Sequence, residues 1–127
     1  ERAHEAANAI DGDPATIWHT RWEGGVPGYP HALVIALPEP VTLAGIRLLQ
    51  RQDMQNGRIG PCAVYVCDDR ENWGMARGRA RLEDRTDWQE LRFDAPATGR
   101  YLKIEALRPI NRDHPWAALA EMDALEE

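Results

Sequence analysis

Three loop clusters hold the residues of this 127-residue chain whose types and spacing could do chemistry. They are residues 8–22 (NAIDGDPATIWHTRW), 51–57 (RQDMQNG) and 113–121 (DHPWAALAE). Turn-forming Gly, Pro, Asn or Asp occurs in all three, so we expect them to lie in surface loops. Their carboxylates, amides, arginine, imidazoles and indoles could bind a metal ion or a polar ligand.

The Asp11-Gly12-Asp13 run in the first cluster could hold calcium, because hard cations take carboxylate, hydroxyl and carbonyl oxygens from a tight loop. An EF-hand is excluded, since counting from Asp11 puts Thr16 at the glycine position and Trp22 at the bidentate-glutamate position. The alternative is a turn in which Asp11 and Asp13 cap backbone amides. Spacing alone favours the turn.

The second and third clusters can also be interpreted either as ligand-binding sites or as purely structural features. Arg51 and Asn56 place a fork of donors and an amide on the surface, but Asn56-Gly57 could simply be the corner of a solvated turn. Trp116 follows Pro115 in a polar loop and could be a ligand platform or a core residue. Taken separately, each cluster is better explained as structure.

Composition excludes several classes of function. The chain has no serine, so Ser-His-Asp hydrolysis is absent, and its only lysine, Lys103, lacks the preceding glycine of a phosphate-binding loop. No nucleophile and base stand at a recognisable spacing. The formal net charge of −6 argues against a nucleic-acid or anionic-membrane binder. The longest apolar runs, such as residues 32–37, fall far short of the roughly 20 residues of a membrane helix.

Short apolar or alternating runs between Gly, Pro and Asp clusters predict strands. We expect strands at residues 32–37, 41–49, 63–67, 88–93 and 100–106, with residues 119–125 as strand or helix. Pro38 and Pro40 should close the first strand. Residues 70–84 alone look helical, but their glycines argue against a helix. Without βα alternation, the pattern predicts an all-β antiparallel β-sandwich of jelly-roll or Greek-key type.

Cys62 and Cys67 lie five residues apart in a predicted strand, so their side chains should point to opposite faces about 16 Å apart. That geometry excludes a disulfide between them. The chain begins at Glu1, without a methionine or a signal peptide, so we expect residues 1–127 to be a single module cut from a larger multidomain protein.

In their order and spacing, the clusters resemble the discoidin, or coagulation factor V/VIII type C, superfamily. The likeness is greatest to the family 32 carbohydrate-binding modules and the N-terminal domain of galactose oxidase. The matching stretches run almost end to end: residues 8–13, 16–20, 51–57, 69–73, 100–103 and 115–121. The resemblance implies a discoidin-like jelly roll in an extracellular, secreted or cell-surface protein.

The resemblance also implies a structural calcium ion that ties the two ends of the chain together. Such an ion would stabilise only the folded state. Its implied ligands are the Asn8 carbonyl, the Asp11 carboxylate, the Asp13 carbonyl, the Thr16 hydroxyl and carbonyl, the Ala120 carbonyl and the Glu121 carboxylate.

For sugar binding, the resemblance implies a site for terminal galactose or N-acetylgalactosamine. His19, Arg51 and Asn56 match its polar positions, and Trp22 and Trp116 are its aromatic candidates. A pyranose offers hydroxyls to the polar groups and a C–H face to an indole. An axial hydroxyl reached by His19 and Arg51 would select galactose-type over glucose-type sugars.

Three functions follow from this pattern. The favoured one is a monomeric, non-catalytic module that targets an attached glycoside hydrolase or sialidase to galactose-type glycans. A discoidin domain that binds a membrane surface or a protein is the alternative, although the loops lack the apolar cluster and lysines that membrane insertion needs. The third is a small enzyme. We assign Trp18, Trp73 and Trp88 to the core, give His31 a structural role, and expect no nucleic-acid partner.

Overall fold

The computed structural model describes residues 18–19, 30–55, 57–111 and 117–126. Every helix or strand within these ranges is a β-strand, and all the strand pairs are antiparallel. The strands are β1 (Trp18–His19), β2 (His31–Leu49), β3 (Pro61–Cys67), β4 (Gly78–Arg81), β5 (Gln89–Ala106), β6 (Ala118–Leu119) and β7 (Glu121–Glu126). The predicted all-β antiparallel fold is therefore confirmed. Over the same ranges, no helix has the length and hydropathy to cross a membrane.

Two long strands connect the two layers of the fold. The larger sheet has the order β4-β3-β5-β2-β7, and β1 pairs with β6 in a separate two-stranded sheet. Within β5, only the later part, residues 101–106, pairs with β3. Within β2, only the later part, residues 43–49, pairs with β7. One layer thus holds β4, β3, late β5 and early β2, and the other holds early β5, late β2 and β7.

The expectation that Pro38 and Pro40 end a strand is wrong, because β2 continues through both prolines to Leu49. The ladder with β5 is interrupted between Ala36 and Val41, where the register shifts. Proline cannot donate to a ladder and is tolerated at such bulges, which also bend the strand. The prolines therefore lie where the sheet folds over.

β5 likewise joins two predicted strands, residues 88–93 and 100–106, into one. A second register shift separates the Leu43 and Gly45 pairings with β5. A side chain on Gly45 would collide with the Leu91 carbonyl oxygen, so glycine allows the close approach of the two backbones here.

The hydrophobic core lies between the two layers. A Cβ atom on Gly78 of β4 would lie 2.7 Å from Leu91 Cδ2 and 3.1 Å from Phe93 Cδ1, so β4 faces early β5 across the core. This contact confirms a sandwich of two layers. The largest fully buried apolar side chains are Leu33, Leu43, Ile46, Leu48, Ile59, Val64, Val66, Leu91, Leu102, Ile104 and Leu119.

Two tryptophans predicted for the core are half-buried instead. Trp88 packs against a small cluster beside the main core, and the Arg47 guanidinium lies 4.3 Å from its ring centroid. Trp73 lies beside Lys103, whose Nζ is 5.0 Å from the ring. Indoles combine an apolar body with a polar edge, and their rings attract cations, which suits half-buried positions beside Arg47 and Lys103. The side chain of Trp18 lies outside the described residues.

The cysteine prediction is confirmed, because Cys62 and Cys67 are both free. Cys62 faces the core and is 1% exposed, and burial raises the pKa of its thiol to about 11. Cys67, at the end of β3, is only half-buried. Their separation agrees with alternation of side chains along an extended strand.

Candidate functional site

Parts of all three loop clusters meet at one end of the sandwich. β1 pairs with β6, with Trp18 opposite Leu119 and His19 opposite Ala118. The Ala118 amide also donates to the Gly57 carbonyl oxygen at 2.8 Å, which joins β6 to the 51–57 loop. The chain segments that carry His19 and Arg51 are thus connected through one short strand near the C-terminal end of the sequence.

The start of β7 belongs to the same junction. The Ala120 amide donates to the Leu49 carbonyl oxygen at 2.9 Å, and Glu121 pairs with Leu49 in the sheet. Ala120 is fully buried and Glu121 is 8% exposed. A glutamate residue buried to this degree requires charge compensation or hydrogen bonds for its carboxylate. The two predicted metal-site residues at the end of the chain therefore lie directly beside the segment that pairs with β1.

Most of the remaining predicted site residues lie outside the described residues. For His19 the structure gives the strand pairing, and its side chain is not described. The predicted residues outside the described ranges are Asn8, Asp11, Asp13, Thr16, Trp22, Asn56 and Trp116. The predicted site residues that lie within the described ranges with their side chains are Arg51, Ala120 and Glu121.

Arg51 follows the end of β2 by two residues, and its side chain is 13% exposed. Its Nε donates to Asp53 Oδ1 at 2.8 Å. This hydrogen bond lowers the pKa of Asp53 below its ordinary value, so the carboxylate stays charged beside the guanidinium. Asp53 therefore fixes one edge of the Arg51 fork within a short turn.

Gln50 closes the base of the loop that carries Arg51. Its side chain is fully buried, with Nε2 donating to the Ile59 carbonyl oxygen at 2.7 Å and Oε1 accepting from the Ile59 amide at 3.0 Å. The Gln50 side chain thus forms two hydrogen bonds with the Ile59 backbone, like those between residues of neighbouring β-strands. Sequence reasoning missed this role, although Gln50 continues the inward series of Ile46 and Leu48.

Arg58 ties the other end of the loop to a neighbouring turn. Its Nε donates to the Arg51 carbonyl oxygen at 3.0 Å, and its Nη1 donates to Asp84 Oδ1 at 2.7 Å. Gln55 Nε2 donates to the second Asp84 oxygen at 2.6 Å. Hydrogen bonds from Arg58 and then Gln55 lower the pKa of Asp84. The sequence holds no signal for this cluster, because Asp84 is distant along the chain.

The geometry suits recognition of fixed oxygen atoms. Gln50 and Arg58 hold the two ends of the 51–57 loop, and Asp53 orients the Arg51 guanidinium within it. Arginine presents its donors in a rigid planar fork, which matches vicinal oxygens better than a flexible ammonium does. Such a loop loses little conformational freedom when a ligand binds.

Comparison with known families and proteins agrees with this architecture. The profile of the F5/8 type C domain matches residues 1–122. The chain is 31% identical to a sialidase from Micromonospora viridifaciens, covering 93% of this chain and 18% of that protein. It is 33% identical to a galactose oxidase from Gibberella zeae, covering 99% of this chain and 18% of that protein. The chain thus spans about a fifth of the length of these relatives.

Two solved structures from Clostridium perfringens share the fold. A module, CBM32-3, of a family 31 glycoside hydrolase superposes with a TM-score of 0.86 at 26% identity, covering 98% of this chain and 83% of that one. The family 32 module of NanJ, solved in complex with galactose, gives a TM-score of 0.83 at 25% identity, covering 98% and 86%.

Proposed function

The chain belongs to the F5/8 type C domain family, and on that premise we propose that it is a carbohydrate-binding module for galactose-type sugars. The observation that carries the proposal is the junction of β1, β6 and the 51–57 loop, which gathers parts of three ligand-type clusters at one end of the fold. A solved module of this fold holds galactose. The chain's own role is binding, and any catalytic step belongs to the rest of the protein.

In this proposal, Arg51 is the principal hydrogen-bond donor to the sugar. His19 and Asn56 complete the polar set, and Trp22 and Trp116 supply indole faces for the apolar C–H surface of the pyranose. The hydrogen bond from Arg51 Nε to Asp53 Oδ1, 2.8 Å long, supports the proposal because it orients the Arg51 guanidinium. Oriented donors favour one arrangement of hydroxyls over its epimer, because the wrong epimer leaves buried polar groups unpaired.

We also propose a structural calcium ion at the start of β7. The supporting observation is the position of Glu121, a residue that is 8% exposed and lies two residues beyond the β6 pairing with β1. Its ligands would be Glu121 and Ala120 together with Asn8, Asp11, Asp13 and Thr16. All of these can offer oxygen, the donor that calcium prefers. When bound, the ion would compensate the carboxylates and join the two ends of the chain.

The module would direct a larger extracellular carbohydrate-active protein to its substrate. A sialidase and a galactose oxidase among its relatives, each about five times its length, support this proposal. A shallow site at loop ends should bind one sugar with a Kd on the order of 0.1 to 1 mM, and linked modules would gain avidity.

A glycan array tests the specificity of this module. We expect signal on glycans that end in galactose or N-acetylgalactosamine and none on matched glycans that end in glucose. Equal signal on both series would contradict galactose-type recognition, and the absence of signal across the array would contradict carbohydrate binding.

A further inference from the structure

The two outer faces of the sandwich differ in how their charges are compensated. Over residues 89–93 of β5, residues 43–49 of β2 and β7, both arginines have a carboxylate partner. Arg47 Nη2 lies 2.8 Å from Asp123 Oδ2, and Arg92 Nη2 lies 3.1 Å from Glu90 Oε2. We call these four residues the paired face. Their charges cancel locally, as on an ordinary solvated sheet surface.

The opposite outer face carries arginines without such partners. Arg79 and Arg81 of edge strand β4, and Arg77 directly before it, are all exposed and alternate with the inward-facing Gly78 and Ala80. None of the three forms an ion pair with any other residue in the described ranges. Alternate residues of a strand are about 6.7 Å apart, so the three arginines form a row about 13 Å long.

A fourth cation extends the row across the sheet. Lys103 of β5 lies directly opposite Tyr65 of β3, and its Nζ is 4.4 Å from the Tyr65 ring and 5.0 Å from the Trp73 ring. Both rings lie within cation–π range, so they hold the ammonium at a fixed point. We call these four cations the basic face: Arg77, Arg79, Arg81 and Lys103.

One carboxylate of β5, that of Glu105, lies on the same side of the sheet as the basic face. Glu105 lies opposite Ala63, which in turn lies opposite Arg79, and Tyr65 Oη donates to Glu105 Oε1 at 3.4 Å. The acidic turn of residues 68–71 follows β3 and borders the same side of the sheet, where its own Arg70 lies 5.2 Å from the Tyr101 ring. The four cations of the basic face outnumber the Glu105 carboxylate and make a local positive field in a chain whose formal net charge is −6.

From this contrast with the paired face, we propose that the basic face is a second binding surface, for an acidic polysaccharide with repeated carboxylates. A row of planar guanidinium forks matches carboxylates along an extended chain. Nucleic acid fits less well. The two rings beside Lys103 are engaged by its ammonium instead of being open to bases, and the net charge of −6 opposes a densely charged duplex.

Binding to hyaluronan, which carries carboxylates but no galactose, tests the proposal in low-salt titrations. Replacing Arg79→Gln together with Arg81→Gln should weaken binding at least about tenfold, as loss of two charge-assisted contacts would. The matched pair Arg85→Gln with Arg92→Gln removes the same charge from exposed arginines that already have carboxylate partners. This control should change the Kd less than about twofold.

Carboxyl-reduced hyaluronan should not bind the unchanged protein. The proposal is overturned if the unchanged protein does not bind hyaluronan, if both double variants lose binding equally, or if duplex DNA binds more tightly than hyaluronan through the same two arginines.

A galactose titration of Arg51→Ala keeps the two proposals separate. Loss of the galactose site should leave hyaluronan binding unchanged, and the Arg79/Arg81 double variant should keep galactose binding.

Discussion

Arg58 donates from Nε to the backbone carbonyl oxygen of Arg51 at 3.0 Å. The same guanidinium donates to Asp84 at 2.7 Å, and its side chain is 11% exposed. The loop that carries Arg51 is therefore tied to the turn that carries Asp84 by one side chain. A charged donor shared between a carbonyl and a carboxylate makes strong hydrogen bonds at both.

Replacing Arg58→Ala should lower the free energy of unfolding by about 1 to 2 kcal/mol, because two charge-assisted hydrogen bonds of a nearly buried side chain are lost. Chemical denaturation measures the change. Arg85→Ala is the control, since Arg85 is 44% exposed and bonds only to carboxylates that are themselves exposed. Its effect should stay within about 0.5 kcal/mol. Equal losses in both variants would show that Arg58 does not anchor the loop.

The contribution of Asp84 to the stability of the protein depends on pH. Its pKa in the folded protein is below the ordinary value of 3.8, so its contribution to stability is complete above that value and is lost as the pH falls through the folded pKa. Arg58→Gln removes the largest cause, so the pKa of Asp84 should rise towards 3.8.

Carbon-13 NMR of the aspartate carboxyl groups measures this rise. The pKa of Asp53, which Arg51 holds down, is the internal control and should not move when Arg58 is replaced. An unchanged Asp84 pKa in Arg58→Gln would mean that the pair does not exist in solution.

Gln50 should matter more for stability than an ordinary polar residue. Gln50→Met keeps the volume but removes the side-chain amide that accepts from the Ile59 amide and donates to the Ile59 carbonyl oxygen. Each unsatisfied buried group costs about 1 to 3 kcal/mol. We expect a fall of about 2 to 4 kcal/mol in the free energy of unfolding, measured by urea denaturation, and faster amide exchange at Ile59. A loss below about 0.5 kcal/mol would contradict the clamp.

The proposed calcium ion predicts that a chelator lowers the melting temperature of the protein. Glu121→Gln should abolish this response, because the carboxylate ligand is removed while the shape of the side chain is kept. Glu83→Gln, on an exposed turn, should leave the response intact. If the unchanged protein melts at the same temperature with and without chelator, the calcium proposal fails.

Strand alternation was sufficient to predict the fold class but not the bends. The inward series through Leu33 and Ile35 is visible in the sequence as a period of two. From the sequence alone, Pro38 and Pro40 indicated strand ends. A bulge at these prolines could not be predicted, because its register is set by β5, which lies far along the chain. The prolines mark the fold-over of one strand, which only the pairing with β5 makes visible.

The sequence predicts Arg51 as a site residue, which stays a prediction, but the residues that support its loop could not be predicted. Asp53, two positions away, is the one support within local reach. Gln50 pairs with Ile59 across a loop, and Arg58 reaches Asp84 from another turn. Such contacts depend on tertiary placement, which the types and spacing of neighbouring residues do not encode.

A galactose titration followed by NMR tests the central claim most directly. The unchanged protein should show saturable shifts at residues 51–57 with a Kd on the order of 0.1 to 1 mM. Glucose should bind at least about tenfold more weakly. Arg51→Ala should abolish the shifts, whereas Arg85→Ala should keep them. An unchanged galactose affinity in folded Arg51→Ala, or no shifts in the unchanged protein, would contradict the account.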